Sequence, residues 1–162
     1  MADVKIHHIA PVVDVHCTCL ILGSFPSVRS REAGFYYAHP QNRFWKVLSA
    51  IFQCDLPVTV EQKKAILLEH HIALWDSIHS CTIEGSSDSS IKNVVPNDIE
   101  SLIKGTDIKE IFCNGQSAMK YYKRYHQNLG IDVQVLPSTS PANAQYSLDR
   151  LIEIWGEVLR IC

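Results

Sequence analysis

The stretch GFYYAHPQNRFW, residues 34–45, sets aromatic rings beside a histidine, an asparagine and an arginine within one short segment. Amide, imidazole and guanidinium groups cost free energy when buried without partners, so a plain core segment would not be built this way. Flat apolar faces mixed with donors and acceptors suit a pocket that grips a planar, hydrogen-bonding ligand. Four other segments have the composition of ligand loops: GSFPS (23–27), DS (76–77), NG (114–115) and PSTSPANA (137–144). Backbone amides and hydroxyls in such loops can hold phosphate oxygens. The same small residues, prolines and hydroxyls are equally the ordinary formers of turns. GSFPS matches neither a Walker nor a dinucleotide fingerprint, so composition leaves a phosphate loop and a plain turn level.

Something must position these segments, and the hydrophobic pattern supplies it. CTCLIL (17–22) is a short apolar run that stops at Gly23 and Pro26, which reads as a buried parallel strand. RFWKVLSAIF (43–52) places Phe44, Val47, Leu48 and Ile51 at helical spacing, and TVEQKKAILLEHH (59–71) opens with a Thr59 cap and a glutamine at capping-box distance. IALWDS (72–77) is a second strand, and the serine-rich CTIEGSSDSSIKN (81–93) reads as a surface loop. PNDIESLIKG (96–105) is a short helix capped by Asn97 and ended by Gly105. A strand (108–115), a helix (116–127), a strand (132–138) and a helix (145–160) complete the series. The alternation predicts an α/β protein, a three-layer α/β/α sandwich with a central four-stranded, mainly parallel sheet, in one domain spanning 1–162. Ligands of open α/β sheets bind beyond the carboxyl ends of the strands, where the candidate loops fall.

Composition narrows the class further. The chain has 162 residues, 46% hydrophobic and 20% charged, and no apolar run reaches the about 18 residues of a membrane span. The first residues lack the apolar core of a secretory signal, so a cytoplasmic, intracellular protein is expected. The 6 cysteines are scattered without a CxxC pair, and the histidine doublets at 7–8 and 70–71 stand in no HExxH arrangement. No metal and no other cofactor is expected from them. A net charge of −2 argues against a broad basic surface, although a local patch suffices for nucleic acid.

Taken in order, LILGSFPS, GFYYAHPQNRFWKVL, ALWDSIHSC, GSSDSSIKN and LPSTSPANA resemble the uracil-DNA glycosylase superfamily, and within it the hypoxanthine-DNA glycosylase (DNA-deoxyinosine glycosylase) family. The likeness runs from about Ile9 to Arg160. It implies a monomeric base-excision repair enzyme, bound to DNA containing deaminated bases and not to membrane, that flips out hypoxanthine and hydrolyses its N-glycosidic bond to leave an abasic site. Mismatch glycosylases are similar over Y…P.NRFW, but Phe25 stands where they carry a water-activating asparagine, which counts against that activity.

The same resemblance implies roles for residues. Tyr37 stacks the flipped base, while Gly23, Ser24 and Phe25 line its pocket. Asn42 is the catalytic residue that orients water or steadies the leaving base, and it is also placed to cap the helix opening at Arg43. Asp76 stands where uracil enzymes read the base edge with an asparagine. A carboxylate only accepts, so it would receive hypoxanthine N1–H and oppose the bare N1 of adenine; a structural aspartate capping the next turn is the other reading. His39 either bonds the base or packs structurally. Ser27, Ser138 and Ser140 hold phosphates, and Pro141, Ala142 and Asn143 enter the space the base vacates. Arg29, Arg31, Arg43, Lys46 and Lys92 would supply local positive charge. The motifs offer no lysine for a Schiff base, so hydrolysis without lyase activity is expected. Three alternatives stay open: a uracil or mismatch glycosylase, a non-catalytic DNA- or nucleotide-binding module of this fold, and a phosphate-dependent small-molecule hydrolase using the GSFPS and PSTSP loops.

Overall fold

Apolar runs become strands and periodic stretches become helices in the chain order β1 (Val4–Ile6), β2 (Cys19–Gly23), α1 (Val28–Ala33), α2 (Phe44–Ile51), α3 (Val60–Glu69), β3 (Ile72–Asp76), β4 (Ile78–Thr82), β5 (Lys92–Pro96), α4 (Ile99–Ile103), β6 (Glu110–Asn114), α5 (Gln116–Tyr125), β7 (Asp132–Leu136) and α6 (Leu148–Leu159). The structure is a computed structural model and describes residues 3–126 and 128–162. The expected helix over 116–127 ends at Tyr125, and Gln127 lies outside the described residues.

Both faces of the central strand are apolar, and this dictates the layers. In β2, Cys19 and Ile21 enter one hydrophobic cluster, while Leu20 and Leu22 enter a second on the other face. The first cluster packs against α2, α3 and α6 through Phe44, Leu48, Leu67 and Trp155; the second packs against α4 and α5 through Ile99, Ala118, Met119 and Tyr122. Each fully buried Leu or Phe contributes roughly 1.5–3 kcal/mol. The four strands lie in the order β3-β2-β6-β7, and every pairing is parallel. The three-layer α/β/α sandwich is therefore present, with a wholly parallel sheet.

Local chemistry sets the helix ends. Thr59 and Gln62 form the capping box at the start of α3. At α4 the cap is Asp98, whose carboxylate accepts from Ser101 N at 3.1 Å. Asn97, expected in that place, is buried, and its amide donates to the carbonyls of Asp76 at 2.8 Å and Ile78 at 3.2 Å.

A second sheet departs from expectation. Strands β1, β4 and β5 pair antiparallel in the order β1-β4-β5, so both ends of the stretch read as a surface loop, 81–93, belong to strands. Ile78, Cys81 and Ile83 turn inward onto Phe25 and Tyr121, a third cluster that seats this small sheet beside the large one.

Candidate active site

The strand ends of the large sheet converge on a cavity of about 360 Å³, a size typical of small-molecule sites. Gly23 ends β2, Asp76 ends β3, Asn114 ends β6, and the segment from Ser138 to Ala142 follows β7; all line the cavity. So do Ser24, Phe25, Ser27, Tyr37, His39, Asn42, Ser138, Ser140 and Pro141. Among the described residues lining it there is no lysine.

Asp76 is held by a residue the sequence did not single out. His7 Nε2 donates to Asp76 Oδ2 at 2.8 Å, with the two side chains only 1% and 5% exposed. Pairing of β1 with β4 delivers His7: its N–H donates to His79 O at 2.7 Å, and its ring stands edge-on to Phe25 with centroids 6.1 Å apart. Asp76 Oδ1 makes no hydrogen bond among the described residues and lies over Gly23. A Cβ on Gly23 would stand 2.3 Å from that oxygen and 3.1 Å from the Tyr37 hydroxyl, so only glycine allows both groups to close over the strand end.

Tyr37 takes a left-handed backbone, φ 52°, which non-glycine residues adopt rarely, and of the four that do so among the described residues it is the one that lines the cavity. Its ring stacks on Phe44 with centroids 4.2 Å apart. Its hydroxyl is buried without a hydrogen-bond partner. Burial first, and the Asp76 carboxylate second, push its pKa well above the usual phenol range against a smaller opposing effect of the Asn114 side chain, so it keeps its proton.

Asn42 is fixed by a relay. Asn114 Nδ2 donates to Thr139 Oγ1 at 3.1 Å, and Thr139 Oγ1 donates to Asn42 Oδ1 at 2.9 Å; Thr139 N returns to Asn114 Oδ1 at 3.0 Å. Asn42 Oδ1 also accepts from Phe44 N at 2.9 Å, an Asx-type turn leading into α2, whose N-cap is Arg43, without a side-chain cap, rather than Asn42 as expected. Both lone pairs of that oxygen are thus engaged, while Nδ2 makes no hydrogen bond among the described residues and belongs to a residue of the cavity wall.

The loop after β7 is organised to offer protons outward. Ser138 Oγ accepts from Ser140 N at 3.1 Å, and Ser140 Oγ accepts from Ala142 N at 3.2 Å, which leaves each hydroxyl its own proton to donate. Arg43 grips this loop through the carbonyls of Thr139, Ser140, Asn143 and Tyr146. Gly115, at φ 94°, admits the loop closely, for a Cβ there would meet Ser138 Cβ at 2.9 Å. Asn143 does not line the cavity; its amide braces Ser138 O at 3.0 Å. Ser27 lines it, but its hydroxyl caps α1 by accepting from Ser30 N and donates to Ser30 Oγ. His39 Nδ1 accepts from Gln41 N at 3.1 Å, so Nε2 carries the ring proton. Arg31 ties Pro26 O to Gly85 O.

A further acid stands at the mouth. Asp88 is exposed along its flank, yet its carboxylate turns onto Ser24, whose Oγ lies 3.3 Å from both its oxygens. The enclosing wall strips water from the carboxylate and raises its pKa above the usual value, the Ser117 and Ser24 hydroxyls counteract this, and the charge on Asp76 adds to the rise. His7, Asp88, Asn114 and Thr139 are thus site residues that sequence reasoning left out. Asn114 and Thr139 sit inside segments it did mark as ligand loops, Asp88 lay in the presumed surface loop, and no local signal joins His7 to a residue 69 positions away. Among the described residues no cluster of three or more metal-ligating side chains occurs.

The family model of the "Uracil DNA glycosylase superfamily" matches residues 10–158. The chain belongs to that superfamily. It is 35% identical over 151 residues to a protein of Methanosarcina acetivorans named hypoxanthine DNA glycosylase, covering 92% of this chain and 94% of the relative. A protein of the same name from Methanosarcina barkeri is 31% identical over 153 residues, covering 93% and 95%. The superfamily fold is matched in the solution NMR structure of a Methanosarcina acetivorans protein, a candidate uracil DNA glycosylase by its description: TM-score 0.83, 32% identity and 98% of each chain covered. Among the described residues no helix is long and apolar enough to cross a membrane.

Proposed function

We propose that this chain is a monofunctional DNA glycosylase that extrudes a deaminated base, hypoxanthine foremost, and hydrolyses its N-glycosidic bond to leave an abasic site. It works as a monomer and one domain, inside the cell at chromosomal DNA. Two relatives named hypoxanthine DNA glycosylase, aligned over nearly their whole lengths, support the activity. The observation that carries the base preference is Asp76: one oxygen is locked to His7 and the other is left facing the cavity beside Tyr37. An acceptor there receives hypoxanthine N1–H and repels the lone pair on adenine N1. Sites built on one such hydrogen bond reject the analogue lacking it by as much as about 10⁴-fold.

The remaining chemistry follows from the other walls. With Asn42 Oδ1 already accepting twice, the residue acts through Nδ2, donating to the base as it departs with the bonding electrons and gains negative charge. This favours steadying the leaving base over activating water. The stacked pair Tyr37–Phe44 provides a flat face for the flipped ring. Ser138 and Ser140 donate to phosphates on either side of it, and those phosphates stabilise the cationic sugar. Absence of a lysine from the lining, among the described residues, supports hydrolysis rather than imine chemistry. The same carboxylate accepts uracil N3–H, so uracil excision is the second activity that Asp76 favours.

The test is hypoxanthine release from a deoxyinosine-containing duplex, followed chromatographically, with Asp76→Asn beside the wild type. The wild type is expected to release hypoxanthine, and the variant to lose at least about 100-fold of its preference for deoxyinosine over deoxyadenosine. A wild type that releases no base refutes the activity; an unchanged preference refutes the role of Asp76.

A further inference from the structure

A second depression, of about 250 Å³, adjoins the base cavity and shares Tyr37, His39 and Asn42 with it. Its other wall joins Lys46, near the end of the family-like segment 34–48, to residues outside those motifs. Lys46 of α2, Lys63 of α3, and Leu56 and Val58 from the connection between those helices all face it. Leu56 is 47% and Val58 76% exposed, an apolar edge with no cover among the described residues. Single exposed aliphatics are ordinary. What sets this edge apart is its neighbours.

The two depressions differ in charge. The base cavity holds Asp76 and Asp88, whereas among the described residues lining the groove none is acidic, and neither lysine there has an ion-pair partner. Lys63 Nζ stands 5.4 Å from the centre of the Trp45 ring, and burial lowers its pKa, so the ammonium is partly stripped of water and lacks a counter-charge. Meanwhile Arg31 and Arg43, two of the three arginines expected to supply local positive charge, direct their N–H groups at backbone carbonyls. Arg29 lines neither depression, so among the described residues lining the two, the only lysines or arginines are Lys46 and Lys63 of the groove.

We infer that this groove is the track of the target strand beside the extruded nucleotide, with Lys46 and Lys63 meeting successive phosphates and Leu56 and Val58 lying against the sugar and base edge. The inference rests on the glycosylase reading and adds a binding subsite to it. Continuity through Tyr37, His39 and Asn42 means that a strand leaving the cavity across these residues enters the groove directly.

The experiment uses a duplex carrying a tetrahydrofuran abasic-site analogue, with binding measured across a salt series. In Lys46→Ala/Lys63→Ala the slope of log affinity against log salt is expected to fall by about two, near one for each phosphate that is no longer neutralised. Lys63→Arg in a Lys46→Arg background, which keeps both charges, should retain the slope. Trimming the target strand close to the lesion, on one side and then the other, should abolish the difference between wild type and double variant for one of the two trimmed duplexes. An unchanged slope in the double variant, or a difference that persists with both trimmed duplexes, overturns the proposal, as would an acidic peptide competing while the DNA slope stays fixed. Hypoxanthine release by the wild type from the untrimmed deoxyinosine duplex is measured in parallel, so failure of the glycosylase reading is told apart from failure of the groove.

Discussion

Asn42 divides two tasks between the two ends of its amide. Oδ1 holds the turn into α2 and closes the relay to Asn114, while Nδ2 is left for the base. Asn42→Ala is expected to slow single-turnover excision by roughly 10²–10³ and to cost about 1 kcal/mol of stability or more through the lost hydrogen bonds to Phe44 N and Thr139. Asn42→Asp keeps an acceptor for Phe44 N and Thr139 but has no N–H to offer, so thermal melting should recover while excision stays slow. Recovery of both in the Asp variant would show that the amide nitrogen does nothing. At this scale the sequence was informative wherever a residue's chemistry was out of place in a core: Tyr37, Asn42 and Asp76 stood out, and all three line one cavity. His7 could not stand out, because an imidazole that donates to a buried carboxylate carries no local mark of its distant acceptor.

Among the elements, the connection between Arg43 and the segment 138–146 matters most. The guanidinium at the start of α2 donates to four carbonyls of a loop about a hundred residues later in the chain. Arg43→Met keeps much of the stem but removes every one of those donors. Hydrogen bonds from a charged group are worth about 1.5–3 kcal/mol each, so the variant should lose at least about 2 kcal/mol locally. Amide hydrogen exchange over 138–146 should accelerate, α2 should stay protected, and affinity for the abasic-site duplex should fall about tenfold or more. Exchange as slow as in the wild type would assign the loop's order to another source. The four parallel strands were legible because their apolar runs are continuous, as strands buried on both faces require. β1 was not: it has three residues, all exposed, and it is a strand only because β4 pairs with it. β4 and β5 were hidden by His79, Ser80, Thr82, Lys92 and Asn93, polar residues that suit an open-faced sheet as well as a loop.

For the molecule as a whole, one acid sets a pH dependence of stability. The Asp88 carboxyl has its pKa raised in the folded protein, chiefly by burial. The folded state therefore holds this proton to higher pH than the unfolded chain does. Its contribution is most favourable below the ordinary carboxylate value, is lost as pH climbs through the raised folded value, and is a constant penalty above it. Asp88→Asn, which still accepts from Ser24, should melt at a higher temperature than the wild type at pH 7, with the gap closing as pH approaches 4. A gap independent of pH would assign the gain to packing instead. The overall charge of −2 gave no hint of this, since a sum over the chain does not register where one carboxylate is enclosed.

Only Ser77 separates Asp76, the last residue of β3, from Ile78, the first of β4, and the Asn97 side chain clasps the carbonyls on both sides of it. The recognition carboxylate is thus mounted on a joint common to both sheets, and the far member of that joint also carries its imidazole partner. Any drift in how β1, β4 and β5 sit would re-aim the acceptor, and with it the wall that Asp88 and Ser86 contribute from the β4–β5 connection. A lineage, or an engineer, seeking a new lesion preference from this scaffold would find the adjusting screw in the small antiparallel sheet.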